Sequence, residues 1–189
     1  MEIHSNQGSQ QVSSTVDANY HIERELGKGG FGVVYAGVRK SDGLRVAIKK
    51  VPVQKVTEWS VLCGQIVPLE LQLLYHCQGI EGVVTLVEFM ECGGSFLYIM
   101  ERPAACIDLF DFISTRGALD EDMARDFFKQ VVNTVKQCQE RGVDHRDIKD
   151  ENLILNVTTG KLNLVDFGSG AFIQNEPYTE FDGKNVPKY

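Results

Sequence analysis

Four short stretches of this chain hold residue types that together could bind a nucleoside triphosphate, two metal ions and an attacking hydroxyl. They are Gly27-Lys28-Gly29-Gly30-Phe31-Gly32-Val33-Val34, Val46-Ala47-Ile48-Lys49, His145-Arg146-Asp147 with Asn152, and Asp166-Phe167-Gly168. In the first, Gly27, Gly29 and Gly32 present no Cβ to block a backbone approach to phosphates. A dinucleotide-binding turn would need a helix directly after the glycines. Here the alternating Val33-Val34-Tyr35-Ala36 continues as a strand, which leaves a phosphate-covering loop or a plain glycine hairpin. Lys49 ends a run of small and branched apolar residues, so its ammonium projects from an apolar wall and needs an anion. The α- and β-phosphates supply one, with Glu70 on a following helix to hold the lysine. The competing reading is a snorkelling surface lysine, which suits Lys50 better, and for Glu70 an ordinary helix-surface carboxylate.

Asp147 is placed to accept the proton of a substrate hydroxyl. Lys149, two residues on, can neutralise charge on a transferring phosphoryl group, and Asn152 offers an oxygen to a metal ion. Asp166 follows Leu162-Asn163-Leu164-Val165 and lies 19 residues after Asp147. Alone, Asp-Phe-Gly would be a simple turn. With Asn152 it makes an oxygen site for Mg2+, which keeps substrate phosphates in its shell. Asp144, directly before His145, is an extra carboxylate that either costs stability or perturbs the loop.

These groups must be positioned by regular elements. Alternation at Tyr20, Ile22, Leu26, then Phe31, Val33, Tyr35, then Val46, Ile48, Val51 predicts strands, with Ser41-Asp42-Gly43 as a hairpin turn. At Pro68, read as a first helical residue, the period changes: Leu69, Leu73 and Leu74 recur at helical spacing with Glu70 beside them. Val83 to Met90 and Phe96 to Met100 read as strands joined by Cys92-Gly93-Gly94-Ser95. Asp108 caps a short helix ending near Gly117. A longer helix runs from Asp120 to Arg141, closed by Gly142, with an apolar stripe of Ala124, Phe127, Val131, Val135 and Cys138, widened by Phe128 and Val132. Leu153 to Leu155 and Leu162 to Val165 are short strands around Thr158-Thr159-Gly160.

A chain of 189 residues, 43% hydrophobic, suits one domain or one and a fraction with a real core. The net charge of −7 argues against a nucleic-acid surface and fits basic partners. Five dispersed cysteines read as free thiols in a reducing compartment. Nothing resembles a signal peptide, and no run approaches the roughly 18 apolar residues of a membrane span. The expectation is a soluble cytoplasmic protein, with the nucleus as a second compartment, and no membrane or nucleic-acid partner.

The four motifs, in this order, make up the protein-kinase set, and the chain resembles the Pim family of serine/threonine kinases. The resemblance rests on Leu26-Gly-Lys-Gly-Gly-Phe-Gly, Asp42-Gly43, Glu58-Trp59, Val67-Pro-Leu-Glu, Glu101-Arg-Pro, Asp108-Leu-Phe-Asp-Phe-Ile, Arg116-Gly-Ala-Leu, His145 to Asn152 and Asp166-Phe-Gly-Ser-Gly-Ala. It implies an α+β, protein-kinase-like bilobal fold. Residues 1–18 would be a disordered leader, 19–103 a β-rich N-lobe with one main helix and the hinge, and 104–189 an incomplete helical C-lobe. It implies ATP and Mg2+ as cofactors and transfer of the γ-phosphate to Ser or Thr. By the match Pro103 lies in the hinge, where proline has no N–H for adenine. Adenine would be held by the Glu101 carbonyl among Leu26, Val34, Ala47, Met100 and Ile154, with Gly27, Gly29, Gly30, Phe31 and Gly32 over the phosphates.

The resemblance further implies arginine-rich protein substrates that meet Asp108, Asp111 and Glu151. For each of these the alternative is a solvated carboxylate, or an N-cap for Asp108. Roles in cell survival and the cell cycle follow by analogy only. The match breaks after Gly183, and Lys184-Asn-Val-Pro-Lys-Tyr189 does not continue as the family does. The alternative expectation is therefore a truncated, catalytically impaired nucleotide-binding module or an unstable fragment, poorly stable alone and a monomer if folded.

Overall fold

The computed structural model describes residues 16–30 and 32–174. Its contacts divide the chain into two units, Met1–Thr57 with Thr85–Ala104, and Glu58–Val84 with Ala105–Tyr189. Period-two alternation builds the first. Strands β1 (Tyr20–Lys28), β2 (Val33–Arg39), β3 (Arg45–Pro52), β6 (Leu86–Cys92) and β7 (Ser95–Glu101) form one antiparallel sheet in the order β1-β2-β3-β7-β6. Val46, Ile48, Leu97 and Ile99 point to one face and form a buried cluster with Tyr20 and Val16. The alternate residues, Val34, Ala47, Lys49, Tyr98 and Met100, share the other face through the pairs Val34↔Lys49, Ala47↔Met100 and Lys49↔Tyr98.

Residues 16–19 form a helical turn and Val16 is buried. This corrects the expected leader: its last residues, 16–18, are ordered because Val16 completes the cluster over the sheet. Residues 1–15 lie outside the described residues. Tyr20 Oη donates to the Glu88 carboxylate, and the Lys40 N–H donates to the Asn19 carbonyl at 2.8 Å. The β2–β3 turn is clipped by Arg39 and Asp42 at 2.6 Å. The Arg39 guanidinium and the Leu44 N–H hold the Asp42 carboxyl down at about 2.

In the second unit, helix α1 (Leu69–His76) follows an unexpected hairpin of β4 (Trp59–Leu62) and β5 (Gln65–Pro68). Pro68 is thus the last strand residue and the cap residue of α1, not its first helical residue. Leu71, Leu73 and Leu74 are buried. The strand expected from Val83 begins only at Leu86. Gly82, at φ +93°, turns the chain so that Val83 and Val84 pack beside Leu164. The Val84 N–H donates to the Leu164 carbonyl and the Leu164 N–H to the Gly82 carbonyl. One apolar run is thereby split between the two units.

A three-stranded sheet, β11-β10-β8, contains β8 (Cys106–Asp108), β10 (Leu153–Asn156) and β11 (Lys161–Leu164). Asp108 caps α2 (Leu109–Arg116), accepting from the Asp111 N–H at 2.7 Å, and Gly117 at φ +88° ends it. Asp120 caps α3 (Glu121–Glu140), accepting from the Met123 N–H at 2.8 Å. The stripe on α3 is narrower than expected. Phe127 and Cys138 are buried, but Ala124, Phe128 and Val132 are exposed, Phe128 by 69%. Thr134 occupies the centre of the buried line instead. Its hydroxyl lies 2.9 Å from the Gln130 carbonyl and 3.2 Å from that of Glu81, which satisfies the polar group in place. Short strands β9 (Val143–Asp144) and β12 (Ala171–Phe172) pair beside the His145 and Asp166 motifs. Among the described residues no helix is long and apolar enough to cross a membrane.

Candidate active site

In the first unit, the glycine-rich turn between β1 and β2 closes with the Gly29 N–H donating to the Gly32 carbonyl at 2.9 Å. A Cβ on Gly32 would sit 2.1 Å from the Lys50 carbonyl oxygen, so only glycine lets the returning strand lie against β3. Around Gly27 and Gly29, by contrast, nothing lies within 4 Å of an added Cβ. The loop therefore has one glycine demanded by packing and two that face open space. Phe31 lies outside the described residues. Lys49 is only 8% exposed, flanked in register by Val34 and Tyr98. Ala47 and Met100 are paired on that face, and Leu26 lies on β1 beside a register shift at Gly27. At the end of β7 the Glu101 N–H donates to the Thr85 carbonyl at 2.9 Å and the Arg102 N–H to the Arg45 carbonyl at 3.0 Å. Pro103 next offers no N–H.

In the second unit, Glu70 lies in the first turn of α1. The remaining motif residues converge around the loop from β9 to β10. His145 is 3% exposed. Its Nδ1 accepts from the Asp147 N–H at 3.4 Å while its Nε2 lies 3.0 Å from the Val165 carbonyl, which assigns the neutral Nε2–H tautomer. The ring packs edge-on against Phe167 at 4.8 Å between centroids. Arg146, at φ +61°, donates through Nε to the Ser169 carbonyl at 2.7 Å. These two residues carried no separate role in the sequence reading, yet they bolt the loop to the backbone on either side of Asp166, His145 at Val165 and Arg146 at Ser169. Their signal was present in the motif itself; what was missing was the identity of their backbone acceptors.

Asp147 stands between Asn152 and Lys149. Asn152 Nδ2 donates to its carbonyl at 2.8 Å and to Oδ2 at 3.1 Å, and Lys149 Nζ lies 3.0 Å from the same Oδ2. The Asp147 carboxylate, followed by the charges of Glu151 and Asp166, raises the Lys149 pKa. Asn152 is 5% exposed, and its carbonyl accepts from the Val165 N–H at 3.0 Å, one residue before Asp166. Asp166 adopts φ +62° at the head of a 3-10 turn, Phe167–Ser169. That backbone bond ties the two oxygen donors, Asn152 and Asp166, to one locus. Asp144 turns out to be accommodated, because its Oδ1 accepts from Gln139 Nε2 on α3 at 3.1 Å. Ile154 is half-buried on β10, in register with Asp108 on β8. The helix α2 carrying Asp111 packs on the 3-10 turn Asp150–Asn152, which holds Glu151. Asp108, Asp111 and Glu151 therefore belong to one neighbourhood, and Asp111 and Glu151 are exposed.

A family model described as the protein kinase domain matches residues 20–186. The chain is 42% identical over 168 residues to serine/threonine-protein kinase prk-2 of Caenorhabditis elegans, covering 89% of this chain and 38% of that protein. It is 42% identical over 180 residues to serine/threonine-protein kinase pim-2 of Danio rerio, covering 90% and 58%. CBL-interacting serine/threonine-protein kinase 16 of Arabidopsis thaliana is 37% identical over 170 residues. The chain thus spans less than two thirds of the length of these relatives. With a family match over nearly all of its length, the chain belongs to the protein kinase domain family, and within it is similar to the serine/threonine kinases prk-2 and pim-2.

Proposed function

We propose that this chain transfers the γ-phosphoryl group of MgATP to Ser or Thr hydroxyls in arginine-rich proteins. The observation that carries the reading is the fixed Asp147 carboxylate, held by Asn152 Nδ2 and Lys149 Nζ beside the tethered Asp166. Asp147 takes the proton of the attacking hydroxyl as its oxygen bonds to phosphorus and the bond to the β-phosphate oxygen breaks. Lys149, kept protonated by Asp147, offsets charge on the transferring group.

Because Asn152 spends its Nδ2 on Asp147, its Oδ1 remains for a cation, and with the Asp166 carboxylate it fits Mg2+. Magnesium, when bound, neutralises phosphate charge. Gly27, Gly29 and Gly30, without a Cβ, let the loop backbone approach the phosphates closely, and Lys49 anchors them. Leu26, Val34, Ala47 and Met100 supply apolar contact to adenine, and the Glu101 carbonyl a hydrogen bond. Asp108, Asp111 and Glu151 draw arginines of the substrate. The acidic charge and free thiols support a cytoplasmic setting with basic protein partners.

The test is calorimetric titration of the chain with ATP, with and without magnesium, for the native protein and for Lys49→Met and Asp166→Asn. Lys49→Met removes the phosphate anchor and Asp166→Asn erases the gain from magnesium, each by about tenfold or more, as expected for losing a charge-assisted contact of ~1.5–3 kcal/mol. Unchanged affinity in both variants refutes the assignment. Asp147→Asn leaves binding intact and lowers transfer to an arginine-rich peptide by about 10²–10⁴-fold.

A further inference from the structure

Directly after β3, at a site none of the four motifs includes, Lys55 ends a 3-10 turn, Val53–Lys55. Its Nζ donates to the Gly30 carbonyl at 3.0 Å, across 25 residues of sequence. The turn is itself anchored, since the Val53 N–H donates to the Gly94 carbonyl at 3.0 Å and the Val56 N–H closes back on Val53. Lys55 thus extends from a fixed base directly after β3, while Gly30 follows Gly29, where nothing lies within 4 Å of an added Cβ. Behind the tip, the loop rests on the Lys50 carbonyl through Gly32. At the tip, the Lys55 ammonium holds the Gly30 carbonyl.

We infer that Lys55 is a positioning residue for the glycine-rich loop, holding its tip down and adding a positive charge where the loop meets the phosphates of a bound nucleotide. The inference rests on the nucleotide-binding reading of that loop and adds a residue that acts through it. The ammonium offsets the negative end of the Gly30 carbonyl dipole, so the loop presents less negative potential to an anion. The contact is exposed, so its effect is modest and salt-sensitive. It bears on retention of the nucleotide more than on the chemical step.

Two readouts on the full chain test it. Backbone 15N relaxation of the Gly29, Gly30 and Gly32 amides without nucleotide reports the tether directly. MgADP affinity reports its use. Lys55→Met loosens the three amides and weakens MgADP roughly twofold to fivefold, with the melting temperature unchanged. Lys55→Arg restores both readouts, because a guanidinium keeps the charge and a donor. Unaltered loop relaxation in Lys55→Met overturns the inference. So does a loosened loop with native MgADP affinity, or a loss of affinity that Lys55→Arg fails to restore. If the loop loosens but no protein, the native one included, binds MgADP, the nucleotide reading falls separately and the proposed use of the tether falls with it.

Discussion

Alanine at Gly29 and at Gly32 should separate packing from ligand binding within one loop. At Gly32 the added methyl lands 2.1 Å from the Lys50 carbonyl oxygen and 3.0 Å from its carbon, both backbone atoms that cannot rotate aside. Relieving that overlap means moving β2 away from β3, an overpacking cost of about 1–3 kcal/mol. For a chain of this length that lowers Tm by about 2–12 °C. At Gly29 nothing lies within 4 Å and φ is not in the left-handed range, so alanine is accommodated. It gains about 0.4–1 kcal/mol by narrowing the unfolded ensemble. If the open space receives phosphates, however, the Gly29 methyl holds them off the loop. Losing one charged hydrogen bond of ~1.5–3 kcal/mol weakens MgATP by about 10–150-fold. Thermal unfolding by calorimetry and titration with MgATP give both quantities from one preparation. The expected pattern is a Gly29→Ala protein at least as stable as the native one that binds nucleotide poorly, and a Gly32→Ala protein that is less stable. Native-like nucleotide affinity in Gly29→Ala would refute the argument that this space is the phosphate site, and native stability in Gly32→Ala would refute the packing argument.

Substrate charge can be probed without disturbing α2, because asparagine caps a helix as well as aspartate does. Asp108→Asn combined with Glu151→Gln keeps the cap to the Asp111 N–H and raises KM for an arginine-rich peptide about tenfold while leaving a neutral peptide unchanged; equal effects on both peptides would exclude charge recognition. The sheet unit carries its own alkaline limit. Burial, then the hydrogen bond to Glu88 and its charge, push Tyr20 up to about 12 from 10.0. A folded-state pKa above the unfolded one means stability is whole below pH 10 and is lost as pH rises towards 12, by at most about 3 kcal/mol. Denaturant unfolding of native and Tyr20→Phe proteins across pH 9–12 should show a decline in the native protein that is shallower in the variant; parallel profiles would rule out Tyr20 as its source.

The motif residues were legible because their chemistry dictates their types: a buried lysine in an apolar strand and a glycine against a carbonyl tolerate few substitutes. Elements set by backbone alone were harder to read. The β4–β5 hairpin turns at Cys63, φ +50°, and Gly64, φ +78°, where asparagine at the first position would have been the recognisable signal. Val83 and Val84 read as strand because they are apolar, and only the positive φ of Gly82 shows why they leave it to meet Leu164. Thr134 was passed over because a hydroxyl in a buried stripe looks like a break until its carbonyl acceptors are seen. Lys55 was invisible for the same reason, since a backbone carbonyl accepts from any lysine within reach and leaves no mark on the sequence. Asp108 shows that competing readings of one residue need not exclude each other. One of its oxygens takes the Asp111 N–H as an N-cap. That bond fixes the carboxylate beside Ile154 and the Glu151 turn with its charge retained, and a charge held rigidly is the one best suited to select an arginine.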